Sequence, residues 1–86
     1  MNANQARMKF RGAMVRLLQK YDIKRVTLSK LTGAPVGHIN RWTDGDLMPS
    51  WYQFERIMQI FGVDAEYLIG SGISEKSYNA TFKTGR

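Results

Sequence analysis

No cysteine occurs among the 86 residues, so neither a disulfide framework nor a thiolate metal site is open to this chain. A single histidine, His38, is too few for a zinc site, which draws on several ligands. Nowhere do enough apolar residues follow one another to cross a bilayer, and the first eleven residues hold no apolar run of the kind a secretory leader needs. A cytoplasmic protein without a membrane span is the expectation. Catalytic constellations are missing too. There is no serine nucleophile near a plausible base, no glycine-rich loop to cradle a phosphate, and no carboxylate pair on a shared helix face beyond Asp44 and Asp46 in a loop. No enzyme, cofactor, metal or small-molecule substrate is therefore expected.

Acidic residues are scarce as well: seven Asp and Glu stand against thirteen Lys and Arg, a formal charge of +6. The cations are unevenly placed. Through Arg41 there are nine basic residues and one acid, Asp22; from Trp42 to Gly70 there are five acids and one base, Arg56. A chain with one basic and one acidic half can turn the first toward phosphates and the second away. The alternative reading of the same charge is a solubilising surface.

What is present is helical periodicity. Phe10, Met14, Leu17, Leu18 and Tyr21 share one face of a first helix from Ala6 to Tyr21, with Arg7, Arg11, Arg16 and Lys20 opposite. A second, two-turn helix from Arg25 to Thr32 turns Leu28 and Leu31 inward and stops at Gly33. Pro35 suits the first turn of a third helix through Ile39 and Trp42, which Asp44-Gly45 ends. Ser50 and Gln53 have the spacing of a capping box before a fourth helix, Trp51 to Phe61, closed by Gly62. Asp64 caps a short fifth helix holding Tyr67 and Leu68. The chain then reads as one domain over residues 1–70 and a tail, 71–86, rich in Ser, Gly, Lys and Thr. Tyr78, Ala80 and Phe82 alternate with polar neighbours as a short strand would, leaving the tail open between irregular coil and an ordered dimer arm.

Residues Arg25 to Asp44 pair two short helices across a glycine turn, with apolar Leu28, Ala34, Ile39 and Trp42 at fixed spacing. Here the sequence resembles the Cro and lambda-repressor type of helix-turn-helix regulator, the XRE family. Leu28-Ser29-Lys30-Leu31-Thr32-Gly33-Ala34 is similar to that family's LAxxxGV segment, and Ile39-Asn40-Arg41-Trp42 to its recognition-helix core. Gly45 with Pro49-Ser50 matches the loop into its fourth helix, and Phe61 to Ile69 looks like its LGVxxxxLL ending. The likeness spans about residues 7 to 70. Departures are Ser29 for a common Ala, Pro35 for the usual Ser or Thr cap, Thr43 for a common Glu, and Lys24 where a Ser or Thr often caps the second helix.

The resemblance implies an all-α, compact bundle of five short helices containing a lambda-repressor-like helix-turn-helix, followed by a non-helical tail. It also implies sequence-specific double-stranded DNA binding by a transcriptional repressor or regulator, of phage or mobile-element type, acting as a homodimer on an inverted-repeat operator. Base contacts would come from Val36, Gly37, His38, Asn40 and Arg41, and phosphate contacts from Lys24, Arg25, Thr27 and Thr43. Arg41 suits guanine, Asn40 adenine and Val36 a thymine methyl, while Gly37 either lets the backbone approach closely or is not read. Trp42 reads as core; of Trp51 and Tyr52, one can cover the core and the other face DNA or a partner subunit. Dimer contacts would use Tyr67, Ile69, Ile73, Tyr78 or Phe82. The rival function keeps the fold and changes the job: a protein-interaction module such as an antitoxin or adaptor.

Overall fold

The structure, a computed structural model, describes residues 2–82. Among these the chain is all-helical and strand-free: α1 Ala3–Lys20, α2 Arg25–Thr32, α3 Val36–Asp44, α4 Trp51–Phe61, α5 Ala65–Ile69 and α6 Glu75–Phe82. No helix among the described residues is long and apolar enough to cross a membrane. α1 packs against α3 and α5, α2 against α3 and α4, and α4 against α6.

Each element follows from local chemistry, with some shifts from expectation. α1 begins three residues earlier than its apolar spacing suggests, because the Asn2 side chain accepts from the Gln5 amide at 2.8 Å. Its buried stripe is Ala6, Phe10, Ala13, Met14, Leu17 and Leu18. Two alanines complete the helical face where bulk alone would leave gaps. Tyr21 lies past the end of α1 and is 48% exposed, its ring against Phe61 at 5.7 Å between centroids. α4 carries both bonds of the capping box: Gln53 N donates to Ser50 Oγ at 3.2 Å and Ser50 N to Gln53 Oε1 at 3.0 Å. In α5 the Tyr67 amide donates to Asp64 Oδ1 at 2.9 Å.

Leu31 was expected inward and is 40% exposed; Thr32 is buried instead. In a two-turn helix the face below Leu28 continues at the fourth residue on, and Thr32 can be buried because its hydroxyl is satisfied. Its Oγ1 donates to the Leu28 carbonyl at 2.8 Å and accepts from the Ala34 amide at 3.2 Å. Pro35, expected as the first helical residue of α3, is its N-cap, with an extended ψ of 149°. The His38 and Ile39 amides both point to its carbonyl, at 3.0 and 3.2 Å.

The largest correction concerns the tail, expected to be non-helical. Residues 75–82 form α6, a sixth helix; 83–86 lie outside the described residues. The period-two pattern of Tyr78 and Phe82 is also the i, i+4 spacing of a helix, and the middle member, Ala80, is exposed, which decides between them. Ser74 Oγ accepts from the Ser77 amide at 3.2 Å and so opens the helix. Tyr78 is wholly buried, its hydroxyl donating to the Pro49 carbonyl at 2.7 Å. Its ring lies 4.7 Å from Phe54, 4.7 Å from Phe82 and 5.3 Å from Trp51, in tilted and edge contacts that favour aromatic pairs. Ile69 and Tyr78, expected at a dimer surface, are core residues of one chain, and Ile73 and Phe82 pack partly buried against that core; of that group Tyr67 is exposed.

Burial pushes the Tyr78 hydroxyl well above the ordinary tyrosine value. An unfolded chain ionises this phenol above about pH 10 while the fold keeps it neutral, so the contribution is complete below that pH and falls as pH rises past it. Tyr78→Phe is expected to lower unfolding free energy by about 1–2 kcal/mol at neutral pH, since the Pro49 carbonyl loses a buried donor. The gap from the wild type should narrow between about pH 10 and 11, as followed by urea titration at each pH.

Candidate functional site

α3 is a short helix with two sharply different sides. Ile39 and Trp42, three residues apart, are fully buried, and Trp42 meets Phe10 of α1 edge to face at 6.2 Å. The Trp42 Nε1 is buried and finds no acceptor among the described residues. Burying such a donor costs about 1–3 kcal/mol, so Trp42 is held by shape and apolar area and not by hydrogen bonding. Val36, Gly37, His38, Asn40 and Arg41, the candidate base-reading residues, are all exposed. One side of α3 is thus spent on the core and the other is left to solvent.

The connection from α2 to α3 is fastened by short-range hydrogen bonds. Gly33 takes the left-handed conformation (φ 80°) that closes α2, and its amide donates to the Ser29 carbonyl at 2.9 Å. Two hydroxyls then lock the next residue: Ser29 Oγ donates to the Ala34 carbonyl, and Thr32 Oγ1 receives the Ala34 amide. Ser29 therefore works as a clip across the turn. At the far end Gly45 (φ 85°) stops α3, and the side chains of Met8 and Arg11 from α1 lie close over it. A Cβ there would stand 3.3 Å from the Arg11 Cδ.

Among the candidate phosphate-binding residues, Lys24, Arg25 and Thr27 are exposed at the start of α2. Arg25 Nη1 donates to Thr43 Oγ1 at 2.9 Å, which places the start of α2 beside the end of α3. The single proton of Thr43 is already committed, to the Asn40 carbonyl at 2.9 Å. Thr43 accordingly accepts from Arg25 while its own hydroxyl faces the Asn40 carbonyl. Lys24, at the N-cap of α2, makes no side-chain cap bond. A cationic edge thus stands next to the exposed face of α3, with Arg41 itself in that helix's last turn, where a cation suits the helix dipole.

Arg56 carries a role that charge counting did not reveal. From α4 its guanidinium donates through Nε and Nη2 to the Leu31 carbonyl at 3.3 and 3.0 Å, and through Nη1 to Gln59 Oε1 at 3.1 Å. It closes the open carbonyl end of α2 and ties that helix to α4. No local spacing signals a contact across 25 residues. Of the remaining cations, Arg16 lies 5.9 Å from the Tyr67 ring centre and Lys20 5.3 Å from that of Tyr21, so part of the α1 charge is engaged on aromatic faces. Among the described residues no three His, Cys, Asp or Glu side chains gather as a metal site.

The Arg25–Thr43 bond should appear as a coupling. In a double-mutant cycle of Arg25→Gln and Thr43→Val, read by chemical denaturation, we expect an interaction of about 0.5 kcal/mol, as an exposed hydrogen bond to a charged group gives. Strict additivity would show that the two side chains do not meet in solution.

Compared with protein-family models, with curated proteins and with solved structures, the chain finds no match.

Proposed function

We propose that this chain binds double-stranded DNA in a sequence-specific manner, with α2 and α3 acting as a helix-turn-helix and α3 as the helix that enters the major groove. The observation that carries this reading is the division of α3: Ile39 and Trp42 seat it on the core, while Val36, Gly37, His38, Asn40 and Arg41 all face outward. An α-helix fits the major groove, where each base pair presents its own pattern of donors and acceptors. Arg41 matches the O6 and N7 acceptors of guanine, Asn40 the N6 and N7 of adenine, and Val36 a thymine methyl. Arg25, steadied by Thr43, and Lys24 lie where cations would hold register on phosphates. The net charge of +6 supports the same partner.

A transcriptional regulator, of repressor type, is the biological role that fits such a reader, and two copies on an inverted repeat would supply the affinity one short helix lacks. In that dimer the subunit contacts would fall on exposed residues such as Tyr67 and Tyr52 and not on Tyr78.

Selection of bound duplexes from a random library at about 0.15 M salt, where phosphate-only binding is already weak, tests the reading. Recovery of an inverted-repeat consensus is expected. Arg41→Ala should weaken that site by about tenfold or more at a guanine position and relax the preference there. Lys24→Ala should weaken all duplexes alike and flatten the salt dependence by about one ion. No consensus from a folded protein would contradict the proposal and favour a protein-interaction module of the same fold.

A further inference from the structure

Gly37 is a glycine that the fold itself does not need. The four glycines that end α2, α3, α4 and α5 have positive φ and serve as caps. Gly37 is different: it sits inside the first turn of α3 with no positive φ. A Cβ built there meets nothing within 4 Å. Neither a turn nor a close helix contact within the chain therefore calls for glycine, and glycine is the poorest helix former after proline. The residue is exposed, and Asn40 and Arg41 follow it three and four positions on, so the three share one side of the helix. The bare backbone lies on the side of α3 that is proposed to meet DNA.

We infer that Gly37 sets the distance between α3 and the duplex: lacking a side chain, it lets the helix backbone lie against the base edges so that the Asn40 amide and the Arg41 guanidinium reach them in register. This inference rests on the DNA reading above. Asn has a short side chain, and bidentate pairing with adenine tolerates little added separation. A methyl group interposed at position 37 would lift the first turn of the helix away. Glycine then makes Gly37 a specificity-determining position through what it leaves out, at a cost to helix stability.

The test uses the full chain and the duplex recovered by selection with the wild type, read by fluorescence anisotropy, with thermal unfolding measured in parallel. Gly37→Ala is expected to unfold at an equal or higher temperature, yet to bind the selected duplex about tenfold more weakly, with Gly37→Leu weaker still. Binding of both variants to an unrelated duplex at low salt should match the wild type, because phosphate contacts are untouched. Equal affinity of Gly37→Ala and wild type for the selected duplex would overturn the inference and leave the DNA reading intact. A drop in unfolding temperature alongside the drop in affinity would also overturn it, since glycine would then serve the fold. Failure of the wild type to select any duplex would overturn inference and reading together.

Discussion

A run of aromatic rings through the centre of the molecule sets where everything else can sit. Trp42 of α3 meets Phe10 of α1, Phe10 lies 6.3 Å from Phe54 of α4, and Phe54 lies 4.7 Å from Tyr78 of α6. Each ring belongs to a different helix, so the run ties four of the six described elements at one layer of the core. Large aromatic side chains bury more apolar area than any other type, and edge and tilted contacts add some directionality to that burial. For so short a chain, whose core has few residues to spend, this arrangement carries a large part of the stability.

The consequence for function is mechanical. α3 has nine residues and would not persist alone in water. It is helical because Ile39 and Trp42 are anchored, because Gly33 and Gly45 end the flanking turns cleanly, and because Ser29 and Thr32 fasten Ala34. Arg56 steadies α2 from the opposite direction. The outward side of α3 is then presented by contacts made from its buried side and from its two ends. Such a separation of support from contact leaves exposed positions free to match a partner's surface.

Much of this organisation is legible in the sequence, and the exceptions have physical causes. The capping box at Ser50 and Gln53, the Asp64 cap and the glycine stops all act within a few residues, so spacing alone reveals them. The core position of Trp42 follows from its three-residue step from Ile39. The exchange of Leu31 for Thr32 was hidden because burying a hydroxyl is acceptable only once its hydrogen-bond partners are known. α6 was hidden because three residues at period two cannot distinguish a strand from a helix whose first and third members share a face. Arg56 on Leu31 and Tyr78 on Pro49 span 25 and 29 residues, and such long-range bonds leave no local pattern. The exposed side of α3 could be marked out from the sequence; the bond from Arg25 to Thr43, across 18 residues, could not.

Whether the outward side of α3 is the surface that meets nucleic acid, as proposed, is read by mapping backbone amide shifts by NMR during titration with a short duplex at about 50 mM salt, since phosphate-driven binding at that salt needs no knowledge of the operator. The perturbed amides are expected to centre on residues 24–27 and 36–44, with α6 silent. Perturbation centred on α6 with residues 24–27 and 36–44 unmoved, or none at all, would contradict that proposal.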